Sequence, residues 1–218
     1  MRQAKIFEVF EEGKKLYTKN LVKGHPVYGE DIVMRDGEYR EWNPKRSKLG
    51  AAIKKGAGNL GIRKGSYVLY LGAASGTTAS HVSDMVGKDG FVFGLDFSAR
   101  VVRDLVFVSE VRKNLAPLLG DARQPVSYAG RVCEVDVVFQ DIAQHDQAEI
   151  FMKNCELYLK KGGFGLLAVK SRSIDISKKP KAVYKDIRAK LERKMTIVDF
   201  RELDPFEKDH CMFICKFK

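Results

Sequence analysis

The 218-residue sequence predicts an α/β fold in which a doubly wound, mostly parallel sheet ends in one antiparallel hairpin strand and follows a small antiparallel β domain. Three observations predict it. Before residue 43, short apolar alternations are broken by Glu12-Gly13, Lys23-Gly24 and Asp36-Gly37, which are hairpin turn signals. After Gly65, strand-like apolar runs alternate with amphipathic stretches, the pattern of βαβ units. At the end, MTIVDFREL and HCMFICKF are joined only by Asp204 to Asp209, too short for a parallel crossover, so the last strand must pair antiparallel.

In chain order, IFEVF, KLYTKNLV, DIVM and EYREW read as the strands of the β domain. Asn43-Pro44 stops them, and Ser47 can cap a helix through LGAAIKKGAGNL that Gly61 ends. The division expected is a β domain with its linker over 1–55 and a larger domain over 56–218. In the larger domain SYVLYL is followed by a helix from Thr77, FVFGLD by a helix over 98–113, and then LAPLL. VDVVFQ, a helix over 147–159, GFGLLAVK and a helix over 181–194 continue the pattern before the final hairpin. Right-handed crossovers wind these units into one sheet. The antiparallel end strand departs from the all-parallel dinucleotide fold and resembles the Rossmann-like, seven-stranded sheet of class I methyltransferases.

Composition sets the outer bounds. With 44% apolar residues the chain can bury one full domain and a small appendage, but not two large domains. Lys and Arg number 39 against 28 Asp and Glu, a formal net charge of +11 that favours polyanions, nucleic acid first, although such an excess also serves solubility alone. Cys133, Cys155, Cys211 and Cys215 form no CxxC pair and have no histidine at metal spacing, so neither a metal site nor a disulfide framework is expected. The N-terminus has no signal-like apolar run and no stretch approaches 18 apolar residues, which reads as a soluble, cytoplasmic chain with no membrane contact.

Ligands of open α/β sheets sit outside the carboxyl ends of the strands, so the strand tips carry the functional reading. The first ends in Leu71-Gly72-Ala73-Ala74-Ser75-Gly76 before Thr77-Thr78; its glycines permit close backbone approach to a ligand, or simply a tight connection. The second ends in Asp96, about 20 residues on, the offset at which an acid meets ribose hydroxyls. The third leads into Gly120-Asp121-Ala122, whose acid can accept from an adenine amino group or cap a turn. The first loop lacks the Gly-x-Gly-x-x-Gly spacing that cradles pyrophosphate, so a nucleoside without phosphates fits better. The fourth and fifth strands end in Asp141 and Lys170. A lysine closing an apolar strand is costly unless paired or used, which makes Asp141 its expected partner, as a structural ion pair or as part of a reaction centre.

The segments WNPKRSKL, LGAASGTTASHVSD, GDARQP, DIAQHDQAE, KSRSIDIS and PFEKDH, in this order over nearly the whole chain, resemble the motifs of the fibrillarin family. The resemblance implies S-adenosylmethionine held at Gly72, Ala73, Thr77, Thr78, Asp96, Phe97, Asp121, Ala122, Asp141, Ile142, Ala143 and Gln144. It also implies a reaction centre of Lys48, Asp141, Lys170 and His210. The implied activity is methylation of the ribose 2'-hydroxyl of rRNA, and of tRNA, within a box C/D guide-RNA particle. The implied partners are the guide RNA, a Nop-family scaffold protein and a kink-turn-binding ribosomal-type protein. Absence of a Gly/Arg-rich leader points to the archaeal form. One departure is His145, where the family has proline. Beside Lys48, Lys45 and Arg46 can equally form a solvated RNA-contacting face, and His210 alone can be a packed strand residue.

Methyl transfer from a sulfonium is an in-line displacement, so the enzyme must hold the ribose oxygen and help remove its proton. Lys170 is the candidate base or orienting group; free lysine titrates at about 10.4, so its neutral form needs cations such as Lys48 nearby. Asp141 is expected to fix the amine, with Lys48 or His210 orienting the nucleotide. Lys178, Lys179, Lys181, Lys185 and Arg188 suggest only contacts to nucleic-acid backbone. Two other readings are a methyltransferase acting on a base or small molecule and a catalytically silent particle subunit.

Overall fold

Alternating apolar residues in the strands give the sheets their buried faces, and a computed structural model describes residues 1–218. The first sheet is antiparallel: β1 (Arg2–Gln3), β2 (Val9–Glu12), β3 (Lys15–Lys19), β4 (Ile32–Met34) and β5 (Glu38–Trp42), in the order β1-β2-β3-β5-β4. Gly13 turns β2 into β3 with φ +59°, and Asp36-Gly37 joins β4 to β5. Lys23-Gly24, expected to form a hairpin, instead lies in a long connection, because β3 pairs with β5 and not with β4.

Ser47 caps α1 (Lys48–Lys54), its hydroxyl accepting from Gly50 N at 3.1 Å. The helix expected to reach Leu60 ends here, because Gly56 adopts φ +85° and turns the chain out of it.

The large sheet follows: β6 (Tyr67–Leu71), α2 (Thr77–Val86), β7 (Phe91–Asp96), α3 (Ala99–Val111), β8 (Leu115–Leu119), β9 (Val135–Gln140), α4 (Gln147–Tyr158), β10 (Leu159–Lys170), α5 (Ser171–Ile174), α6 (Pro180–Glu192), β11 (Met195–Glu202) and β12 (His210–Phe217). Its order is β11-β12-β10-β9-β6-β7-β8. As expected for a short final connection, β12 runs antiparallel, inserted between β10 and β11. Along β6, Val68 and Tyr70 face the core under α1, α2 and α3, whereas Leu69 and Leu71 face the core under α4 and α6.

The first of these cores also takes Val9, Leu16 and Trp42 from the antiparallel sheet, so elements on both sides of residue 55 share one interior. Their junction is polar as well. Asp84 of α2, fully buried, pairs with Arg40 of β5 at 2.8 Å and with Arg112 after α3 at 2.6 Å. Arg40 also meets Glu30 at 2.5 Å, and Thr18 donates to Asp84 at 2.8 Å. Charges buried this deeply persist only when paired and hydrogen-bonded. His81 completes the junction: Thr18 donates to Asp84, so the Nδ1–H of His81 donates to Thr18 Oγ1 at 2.8 Å, and its Nε2 faces the Tyr28 hydroxyl at 2.7 Å.

Candidate active site

At the carboxyl end of β6 the backbones of three strands are tied together. Gly72 N donates to Leu95 O at 2.8 Å, and Asp141 N donates to Leu71 O at 2.9 Å. Gly72 has φ +83°, and a Cβ there would lie 2.4 Å from the Asp141 carbonyl oxygen, so only glycine lets these loops approach. The carboxylate of Asp96 closes the turn: Ala74 N donates to its Oδ2 and Ser98 N to its Oδ1, each at 3.0 Å. Both oxygens keep further lone pairs for a ligand hydroxyl.

The loops enclose a cavity of about 390 Å³, within the usual range for a small-molecule site. Of the expected ligand residues, Gly72, Asp96, Phe97, Asp121, Ala122, Asp141, Ile142, Ala143 and Gln144 line it. Phe97 is 73% exposed, an aromatic face offered at the cavity mouth. The remaining three stand behind it. Ala73 is buried, Thr77 begins α2 half-buried, and the buried Thr78 hydroxyl donates to Ser47 Oγ at 2.9 Å, fastening α2 to the cap of α1.

Arg123 and Ile150 also line the cavity, and the sequence reading missed both. Arg123 forks onto Asp121, with Nη2 to Oδ2 at 2.7 Å, and this hydrogen-bonded guanidinium holds the Asp121 carboxyl below its usual range. The two-residue spacing within Gly-Asp-Ala-Arg was the available signal. Nothing in the linear pattern around Ile150 marked it. His145, 82% exposed in its side chain, does not line the cavity.

The four residues expected at the reaction centre collect at the same end of the sheet, but their pairing differs from expectation. Asp141 pairs with Lys48, 2.9 Å from Nζ to Oδ1, and forms no ion pair with Lys170. Lys170 is exposed, so the cost of burial that argued for a carboxylate partner does not arise. Its backbone N–H donates to Gln147 Oε1 at 3.3 Å, and Gln147 Nε2 donates to Gln144 O at 2.7 Å, tying the strand tip to the cavity loop. His210 stands directly across from Lys170 in the ladder of β10 and β12. Its Nδ1–H donates to Lys208 O at 2.7 Å, which leaves Nε2 as the acceptor of the neutral ring. Asp141 thus brings its ion pair with Lys48 to the cavity wall, whereas the cross-strand pair of Lys170 and His210 stands at the same end of the sheet without lining the cavity.

Comparison with known proteins agrees with this geometry. The chain is 52% identical over 204 residues to the fibrillarin-like rRNA/tRNA 2'-O-methyltransferase of Pyrococcus abyssi, covering 93% of this chain and 90% of that protein. A solved structure of Aeropyrum pernix fibrillarin with natively bound S-adenosyl-L-methionine matches with a TM-score of 0.85 at 47% identity, covering 92% of this chain and 88% of the other. A structure from a fibrillarin/Nop5p complex matches with a TM-score of 0.90 at 39% identity, covering 99% of this chain and 100% of the other. The family model for fibrillarin matches residues 1–218, and the chain belongs to the fibrillarin family.

Proposed function

We propose that this chain transfers the methyl group of S-adenosylmethionine to the ribose 2'-hydroxyl of rRNA, and of tRNA, as the catalytic subunit of a box C/D guide-RNA particle. The observation that carries the reading is the cavity itself, which brings Asp96, Asp121 and the Lys48–Asp141 ion pair together at the carboxyl ends of the strands.

The residues present fit S-adenosylmethionine. Asp96, anchored by two backbone N–H groups, offers free lone pairs to ribose hydroxyls, and the exposed ring of Phe97 offers a stacking face to adenine. Asp121 would accept from the adenine amino group and the backbone N–H of Ala122 would donate to the ring, Asp141 to Gln144 would hold the methionine part with Gly72 and Ala73, and Thr77 and Thr78 open α2 beside the cavity loop. When bound, the sulfonium supplies a methyl group that needs no further activation.

The chain's own groups do the rest. In its neutral amine form, which the positive charge of a bound sulfonium favours, Lys170 Nζ would take the proton of the ribose 2'-hydroxyl as the methyl leaves the sulfonium, and His210 Nε2 would orient the nucleotide from the neighbouring strand. Asp141 neutralises Lys48 and fixes the loop after β9, so Lys48 holds the loop geometry. Partner chemistry follows the family: a Nop-family scaffold protein, the guide RNA and a kink-turn-binding protein bring the target to the subunit.

Calorimetric titration of the isolated chain with S-adenosylmethionine tests the cofactor half of this reading. One site per chain is expected, weakened at least about tenfold by Asp96→Ala, since a charge-assisted hydrogen bond contributes about 1.5–3 kcal/mol. Absence of binding by the unaltered chain would overturn it.

A further inference from the structure

The strongest unassigned feature lies at the other end of the large sheet. Helix α2 starts at the cofactor loop and runs for ten residues, about 15 Å, before ending at Val86. At that end a second cleft, of about 370 Å³, opens between the antiparallel sheet and the strand beginnings, with Lys19, Lys64 and Lys88 on its walls.

Specific hydrogen bonds bring these cations together. Gly65 N donates to Val86 O at 2.8 Å, which sets Arg63 and Lys64 against the end of α2. Asn114 Nδ2 donates to Gly87 O at 2.8 Å, which ties the residue after Lys113 to the turn that carries Lys88, with Lys113 outside the cleft lining itself. Arg112 Nη2 donates to Asn20 Oδ1 at 3.0 Å, which draws Lys19 to the same rim.

Like many cations of this surface, those around the cleft stand without ion-pair partners, and what sets them apart is their convergence on one concavity. No carboxylate lies within 4.0 Å of Lys19, Arg63, Lys64, Lys88 or Lys113. By contrast Lys160 pairs with Asp136 at 2.7 Å, Lys190 with Glu149 at 2.5 Å and Lys194 with Glu156 at 2.7 Å. The cleft contains two carboxylates. Asp84 forms its floor and is already neutralised by Arg40 and Arg112, which leaves Glu8 alone against the lysines. The result is a concave patch of net positive charge, offset in part by Glu8 and by Asp36 near Lys19, on a chain of net charge +11.

We infer that this cleft is a second anion site, remote from methyl transfer, that binds the phosphodiester backbone of RNA. Lys64, Lys88 and Lys113 precede three adjacent strands, β6, β7 and β8, whose spacing of about 4.8 Å spreads the cations over roughly 10 Å. That spread suits several consecutive phosphates better than a single one. The inference rests on the reading of the chain as an RNA methyltransferase and adds to it a contact by which the subunit grips RNA away from the reacting nucleotide.

The test compares two variants of the full chain carrying the same charge change. One reverses the cluster (Lys64→Glu, Lys88→Glu, Lys113→Glu), and the other reverses three scattered exposed lysines (Lys14→Glu, Lys153→Glu, Lys161→Glu). Binding of a labelled RNA duplex is measured against salt, and S-adenosylmethionine affinity in the same samples reports that each variant is folded. The cluster variant should bind RNA at least about tenfold more weakly than the scattered one near 0.1 M salt, with a salt dependence shallower by about two to three ions. Equal losses in the two variants would reduce the effect to net charge and overturn the inference. Unchanged RNA affinity in the cluster variant would overturn it too, leaving an acidic protein as the partner of this surface. Failure of the unaltered chain to methylate RNA in its particle would sink the proposed function instead, and leaves the binding comparison intact.

Discussion

The tightest constraint on the cofactor cavity is a missing methyl group. Replacing Gly72 with alanine would put Cβ 2.4 Å from the Asp141 carbonyl oxygen and 2.9 Å from Ile142 Cγ2, in a backbone held at φ +83°. The left-handed backbone costs an alanine about 1–2 kcal/mol. Relief of the contact requires the Asp141 carbonyl to retreat by about 1 Å to reach ordinary van der Waals distance, an overpacking cost of about 1–3 kcal/mol. Gly72→Ala should therefore destabilise the chain by about 2–5 kcal/mol and lower its melting temperature by on the order of 10 °C. Because the displaced loop is the one that lines the cavity, S-adenosylmethionine affinity should fall at least about tenfold in the molecules that remain folded. Gly130→Ala is the matched control, since a Cβ there meets nothing within 4 Å. Differential scanning calorimetry and cofactor titration of both variants read the result. If Gly72→Ala melted and bound cofactor as Gly130→Ala does, the account of how these loops form the cavity would be wrong.

Three further outcomes follow from the geometry. Lys170→Ala should leave cofactor affinity within about twofold while lowering methyl transfer in the assembled particle by two orders of magnitude or more; wild-type turnover would remove Lys170 from the reaction. Asp84→Ala leaves Arg112 buried without a carboxylate and Arg40 with Glu30 alone, and chemical denaturation should report a loss of about 3–5 kcal/mol; a loss below about 1 kcal/mol would refute the structural role of this junction. His81, fully buried, is held well below 6.5 by burial and by the nearby charges of Arg40 and Arg112. As pH falls below about 6.5 the unfolded chain takes up a proton that the folded chain refuses, so His81 contributes a loss of stability of up to about 1.4 kcal/mol per pH unit. A His81→Gln variant should lack that contribution between pH 6.5 and 5, and an unchanged slope would contradict it.

Much of the fold was legible because period-two and helical patterns report which face is buried, and the large sheet keeps both patterns cleanly. The order of its strands, and the insertion of β12 between β10 and β11, followed from the six-residue connection Asp204 to Asp209 only as far as the antiparallel sense. The cavity was legible for a related reason: strand tips in an open sheet converge, so residues at the ends of β6, β7, β8 and β9 meet whatever their distance in sequence. Pairing among long side chains was not. Lys48 reaches Asp141 from the other sheet's linker, across 93 positions, and no spacing rule could prefer it over Lys170. Arg40 and Arg112 were equally opaque, because a charged residue in EYREW or before LAPLL reads as solvated until the opposite charge that buries it is known. The early end of α1 was accessible in principle, since Gly56 carries the same stop signal that was assigned to Gly61.

The central claim is that this cavity delivers a methyl group to a ribose oxygen, and the most direct measurement identifies the product. The chain is assembled with a box C/D guide RNA, its partner proteins and a target strand, supplied with isotope-labelled S-adenosylmethionine, and the RNA is digested to nucleosides for mass spectrometry. The account predicts label on the ribose 2'-oxygen of the guided nucleotide and nowhere else. Label on a base, or unlabelled RNA from a particle whose subunit binds the cofactor, would contradict it.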